Sequence, residues 1–145
     1  MAVEDRNPEY LHYESKWLKC RVCAEGEEAV KNAGEVFLPK LVAQTADEYN
    51  AYKMRASFFA GTARAIGALV GMLFKKPPRL EGSTEDLDEV LKTATEDKTD
   101  LQTFVKHVTE EVVTVGRVCV VVDVAADAPN AVPYLTSYTA VQVIN

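Results

Sequence analysis

Apolar residues recur at alternating spacings of three and four along the middle of the chain: Tyr49, Tyr52, Ala56, Phe59, Ala63, Ile66, Val70 and Leu73. That period puts them on one helical stripe and predicts a single long central helix within residues 47–78. Thr45 with Glu48 three residues later is a capping box that opens it. Asp47 and Glu48 suit its positive end, Lys75 and Lys76 suit its negative end, and Pro77-Pro78 stops it. The opposite stripe carries Lys53, Ser57, Ala60, Arg64, Ala68 and Gly71, basic at one end and small at the other.

Weaker patterns flank this helix. Asn7-Pro8 caps a first helix that carries Tyr10, Tyr13, Trp17 and Cys20 and stops at Gly26. A turn of helix over residues 27–32 follows, and residues 36–39 are expected to be extended because of Pro39. Beyond the two prolines come a polar link at 79–83 and a short helix to about Lys92. Thr99 with Gln102 reads as a second capping box, ahead of a stripe of Leu101, Phe104, Val105, Val108, Val112 and Val115 that ends at Gly116. The β-branched run at 117–124 predicts a strand covered on both faces, and residues 133–138 a second strand. Residues 139–145 read as a turn and the start of a third strand, as if the chain stopped inside a sheet. The expected class is α+β: one unit, helical over 1–78, then a helix and a small C-terminal β-sheet over 84–145.

Three structures suit the two-sided central stretch. A membrane span would place Arg64 near the bilayer centre at about 2.5–3.5 kcal/mol, and Ser57, Gly61 and Thr62 weaken the run further. A coiled coil lacks complementary charge at Lys53, Arg55, Ala60 and Thr62. The third, a helix with its large residues in the core and its Gly/Ala stripe against another backbone or a neighbouring subunit, fits best.

Composition narrows the partners. The chain has 145 residues, long enough for a core without staples. Its formal net charge of −6 opposes the balance of a free nucleic-acid binder. Three cysteines make no disulfide framework, and the first residues show no basic apolar leader, so a reducing cytoplasm is expected.

No catalytic, cofactor-binding or metal-ligating residue emerges. Cys20 and Cys23 form CxxC late in a helix, with only Cys119, His12 and His107 as further ligands and none of them paired in spacing. Asp123 interrupts an apolar strand without a second carboxylate, which fits a strand-end acid bonded to loop amides. Glu85, Asp86, Asp88 and Glu89 read as a solvated face. The cations Lys16, Lys19 and Arg21 around Trp17 are offset by Glu14, Glu25, Glu27 and Glu28.

Short pieces of the chain, in order, nevertheless match a known family. They are Trp17-Leu-Lys-Cys-Arg21, Gly26-Glu-Glu-Ala-Val-Lys31, Phe37-Leu-Pro-Lys-Leu41, Glu48-Tyr-Asn-Ala-Tyr52, Arg55-Ala56, Ala68-Leu-Val-Gly-Met-Leu-Phe-Lys-Lys-Pro-Pro78, Gly116-Arg117, Val121-Val-Asp123 and Pro133-Tyr134. Together they resemble the portal proteins of tailed bacteriophages and prophages, over the N-terminal wing region and without the clip, stem or channel-lining segments. The resemblance implies a homo-oligomeric ring, usually a dodecamer, at one capsid vertex of the virion, assembled in the host bacterial cytoplasm. Double-stranded DNA would be packaged and ejected through it without sequence-specific binding. Terminase, head-completion, scaffold and capsid proteins are the implied partners, with no membrane and no cofactor. Arg64, Gly67, Ala68, Gly71, Lys75 and Lys76 are the expected subunit or close-packing contacts. The alternative is a free-standing intracellular interaction domain, a degenerate prophage remnant.

Overall fold

Asn7 opens the first helix, α1 (Pro8–Glu25), by accepting a hydrogen bond from Glu9 N at 2.8 Å. Gly26, at φ 98°, closes it in a backbone region that other residues avoid. The computed structural model describes residues 5–78, 88, 91–124 and 132–144. Helix α2 (Glu27–Asn32) follows, then a 3₁₀ turn at Gly34–Val36. Residues 36–39 are therefore not the extended segment expected. Gly34, at φ 60°, starts a turn in which Phe37 N and Leu38 N both donate to Gly34 O, and Pro39 restricts only its immediate neighbour Leu38.

The expected central helix is two helices. Thr45 and Glu48 make the capping box, with Glu48 N donating to Thr45 Oγ1 and Thr45 N to Glu48 Oε2, but α3 (Ala46–Arg55) stops ten residues on. Ala56 is extended (φ −60°, ψ 131°), and α4 (Gly61–Leu73) begins without a side-chain cap. The interruption has a physical cause in α2. Lys31 pairs with Glu27 and also donates to Met54 O, while Phe58 N donates to Glu27 Oε2. Backbone groups that would have continued the helix thus find partners on α2, and the small residues Ala56, Ser57, Ala60 and Gly61 resist the bend little. The eight apolar positions consequently lie on no single stripe: Tyr49 and Val70 are buried, whereas Phe59 (77 % exposed) and Leu73 (62 %) face outward.

Helix α5 (Leu101–Val115) is capped one residue later than expected. Asp100, not Thr99, accepts from Thr103 N at 3.0 Å, a carboxylate being the stronger acceptor. Gly116 (φ 79°) ends the helix and turns the chain into β1 (Val118–Asp123), which pairs antiparallel with β2 (Tyr134–Thr139). The register runs from Val118 opposite Thr139 to Asp123 opposite Tyr134. These two strands form the one sheet among the described residues.

Two expectations about this sheet need correction. Strand β1 is not covered on both faces: Val120, Val121 and Val122 are 44 %, 40 % and 66 % exposed. The C-terminal residues do not start a third strand, because Gln142 N donates to Thr139 O in a turn that returns the chain to α1. There Val141 and Ile144 pack around Tyr10, Trp17 and Ala140, and Asn7 N donates to Ile144 O at 3.1 Å. Helices α1, α4 and α5 pack on one another, and β1 packs on α5. The expected link at 79–83 and the loop at 125–131 lie outside the described residues, as does most of the short helix near 84–92, of which Asp88, Leu91 and Lys92 are helical.

Candidate functional site

Helix α4 is apolar almost all round, and its periodicity divides it. Val70 is buried, and Ala63, Ile66 and Phe74 are half-buried towards α1 and α5. Arg64, Gly67, Ala68 and Gly71, spaced three and four apart, share the outward face, and all four are exposed. Lys75 and Lys76 follow in the exposed turn after the helix. Four of the six expected contact residues thus share one side of α4, and Lys75 and Lys76 lie past its end. Among the described residues, a Cβ built at Gly67 or Gly71 meets no atom within 4 Å.

Other large apolar side chains of α4 are exposed too, Met72 beside that face and Leu69 and Leu73 further round the helix. Leu69, Met72 and Leu73 are 46 %, 65 % and 62 % exposed, and the Arg64 guanidinium lies over the exposed Phe59 ring, 5.3 Å from its centroid. Leu69, Met72 and Phe59 were absent from the expected contact set. Unbroken helical periodicity assigned Phe59 to the core, and the interruption at residues 56–60 is what turned it out.

The opposite situation holds along α1. Tyr10 and Trp17 meet edge to face at 5.6 Å, and Tyr10 donates to Val141 O. Burial, with Glu14 nearby, pushes the Tyr10 hydroxyl above its ordinary range. Arg21 holds Glu111 of α5 in a two-pronged pair, at 3.2 and 2.5 Å, across a cleft of about 400 Å³ between α1, α5 and the hairpin. The cationic patch around Trp17 is therefore largely engaged: Arg21 by Glu111, Lys16 by His12 and the Tyr13 ring, and Arg117 over Trp17.

The cleft between α1, α5 and the hairpin is lined by His107, Ser137 and Thr139 beside Glu110 and Glu111, and among the described residues His107 is paired only with Glu110. Cys20, Cys23 and Cys119 are free thiols, and no group of three His, Cys, Asp or Glu among the described residues is placed to hold a metal. His107 stands beside Glu110 in the open. Asp123 accepts from Val124 N (2.7 Å) and Tyr134 Oη (3.4 Å), as the strand-end reading requires. No described helix is long and apolar enough to cross a membrane.

What this arrangement offers is surface. Two regions, helix α4 and strand β1, expose several large apolar side chains, a feature common to interaction surfaces. No family model, no curated protein and no solved structure matches this chain.

Proposed function

We propose that this chain is the wing portion of a phage portal, a non-catalytic component of the ring through which DNA is packaged and ejected. The observation that carries the reading is the ordered series of short matches from Trp17 to Tyr134, which keep their spacing across nearly the whole chain. The exposed face of α4 supports it. A ring subunit needs broad side-to-side contacts, and Arg64, Gly67, Ala68 and Gly71 form a low, exposed surface beside Met72 with room for a neighbouring helix. The acidic balance of the chain suits a conduit that must not grip phosphate, since strong cationic contacts would hold the duplex in place.

The test has two parts. In the source genome, the reading frame containing these residues should continue into long helices and lie beside a large terminase gene. The protein made from that frame should form a closed ring of about twelve subunits by native mass measurement. A lone 16.0 kDa monomer from a complete frame in a non-phage setting would overturn the portal reading.

A further inference from the structure

Strand β1 has one edge in the sheet and one edge outside it. Leu135 N donates to Ala94 O on the side of β2 away from β1, and Thr139 N, on that same side, donates to the Gln142 side chain. Alternation along an antiparallel ladder then fixes the pattern: Leu135, Ser137 and Thr139 turn their backbone groups away from β1. Their partners Val122, Val120 and Val118 turn theirs to the outer side of β1. No backbone partner meets those groups among the described residues. The outer edge of β2 is engaged by Ala94 and Gln142, whereas the outer edge of β1 is open and flanked by the exposed Val120, Val122 and Val124. An open, flat, apolar edge is a template for another strand.

The sequence of that edge names its occupant. Antiparallel pairing of β1 with a second β1 about a two-fold axis at Val120 brings the outward-turned residues opposite one another: Val120 to Val120, and Val118 to Val122. In the same register the position of Arg117, just before β1, stands opposite Asp123 of the other copy at both ends of the ladder, so that pairing would draw Arg117 from its place over Trp17. Shifting the register by two residues in either direction removes both charge pairs. We infer that the free chain dimerises through this edge, two-fold and centred on Val120, into a continuous four-stranded sheet. The inference is independent of the portal reading. A cyclic ring joins unlike surfaces, so this like-to-like contact belongs to the chain outside a ring, where it covers the edge.

A ladder of six residues is short, so covalent capture suits it better than size measurement alone. The background carries Cys20→Ser, Cys23→Ser and Cys119→Ala. Val120→Cys places two thiols at a directly opposed pair, about 5.5 Å apart at Cα, within disulfide reach. Val122→Cys places its two copies four residues apart along the ladder, far beyond that reach. Under mild oxidation at micromolar concentration, the Val120→Cys chain should become mostly disulfide-linked dimer, and the Val122→Cys chain at least tenfold less. Asp123→Lys in the Val120→Cys chain should lower the yield several-fold, and adding Arg117→Glu should restore it. Circular dichroism on each variant confirms that the fold persists. Equal yields from positions 120 and 122, no cross-link at 120, or no recovery with the reversed charges would each overturn the proposal.

Discussion

Helices α1 and α4 both expose apolar side chains, Leu11, Tyr13 and Leu18 on the first and Leu69, Met72 and Leu73 on the second, yet only α1 has a face that the C-terminal turn folds back to cover. Around α1, Tyr10 and Trp17 are closed over by Ala140, Val115, Val141 and Ile144, and its polar edge is tied to α5 through Arg21 and Glu111. On α4 only Val70 is fully buried, while Leu69, Met72 and Leu73 stand in the open, as do Gly67 and Gly71. Apolar side chains are equally averse to water in both places. The difference is that the chain folds back over one face of α1 and leaves the outer face of α4 exposed. Substitutions should therefore act on folding at the first helix and on association at the second.

The largest expected effect is at Trp17. Trp17→Ala removes the centre of the sealed region and should cost about 3–5 kcal/mol in a denaturant melt. A cost under about 1 kcal/mol would show that the junction with the C-terminal turn contributes little. Next is Glu111→Ala, which leaves the Arg21 guanidinium without its partner. Arg21 Nε already lacks one, so a loss of about 1–3 kcal/mol is expected. A double-mutant cycle with Arg21→Met should recover part of it.

Gly71→Ala acts in the opposite direction. With nothing within 4 Å of the new methyl, the better helix former should stabilise the isolated chain by up to about 1 kcal/mol. A destabilised variant would place a neighbour against that face. The smallest effect is a change in acid sensitivity. Hydrogen bonds from Thr103 hold the Asp100 carboxylate below its usual range. Its contribution is therefore complete above the ordinary carboxylate pKa near 4 and is lost as pH falls through the depressed value. Asp100→Asn keeps an N-cap acceptor without titrating, so helix content followed by circular dichroism should fall less steeply below about pH 4 than in the parent.

Much of the fold was legible in local chemistry. Asn7-Pro8, Gly26, the Thr45–Glu48 box and Gly116 mark helix ends through backbone constraints that do not depend on distant contacts, and the helices begin or end there. Strand positions were equally clear, since β-branched runs bounded by turn residues have few alternatives. What failed involved partners far away in sequence. The break after Arg55 depends on Glu27 and Lys31, and the C-terminal turn depends on α1. The bareness of β1 depends on which elements are absent from its outer edge. Periodicity shows that a face is apolar without showing what covers it. For the candidate contact surface the sequence therefore located Arg64, Gly67, Ala68 and Gly71 on one side, but not whether that side was inside or outside.

The central claim is that the outer face of α4 joins neighbouring subunits. Its most direct test is the native mass of the protein made from the complete reading frame, with and without Met72→Glu. That residue is 65 % exposed, so the substitution should leave the melting transition within about 0.5 kcal/mol of the parent. The parent should assemble into a ring of about twelve subunits, and Met72→Glu should leave folded monomers or short arcs. An intact ring from Met72→Glu would contradict the claim.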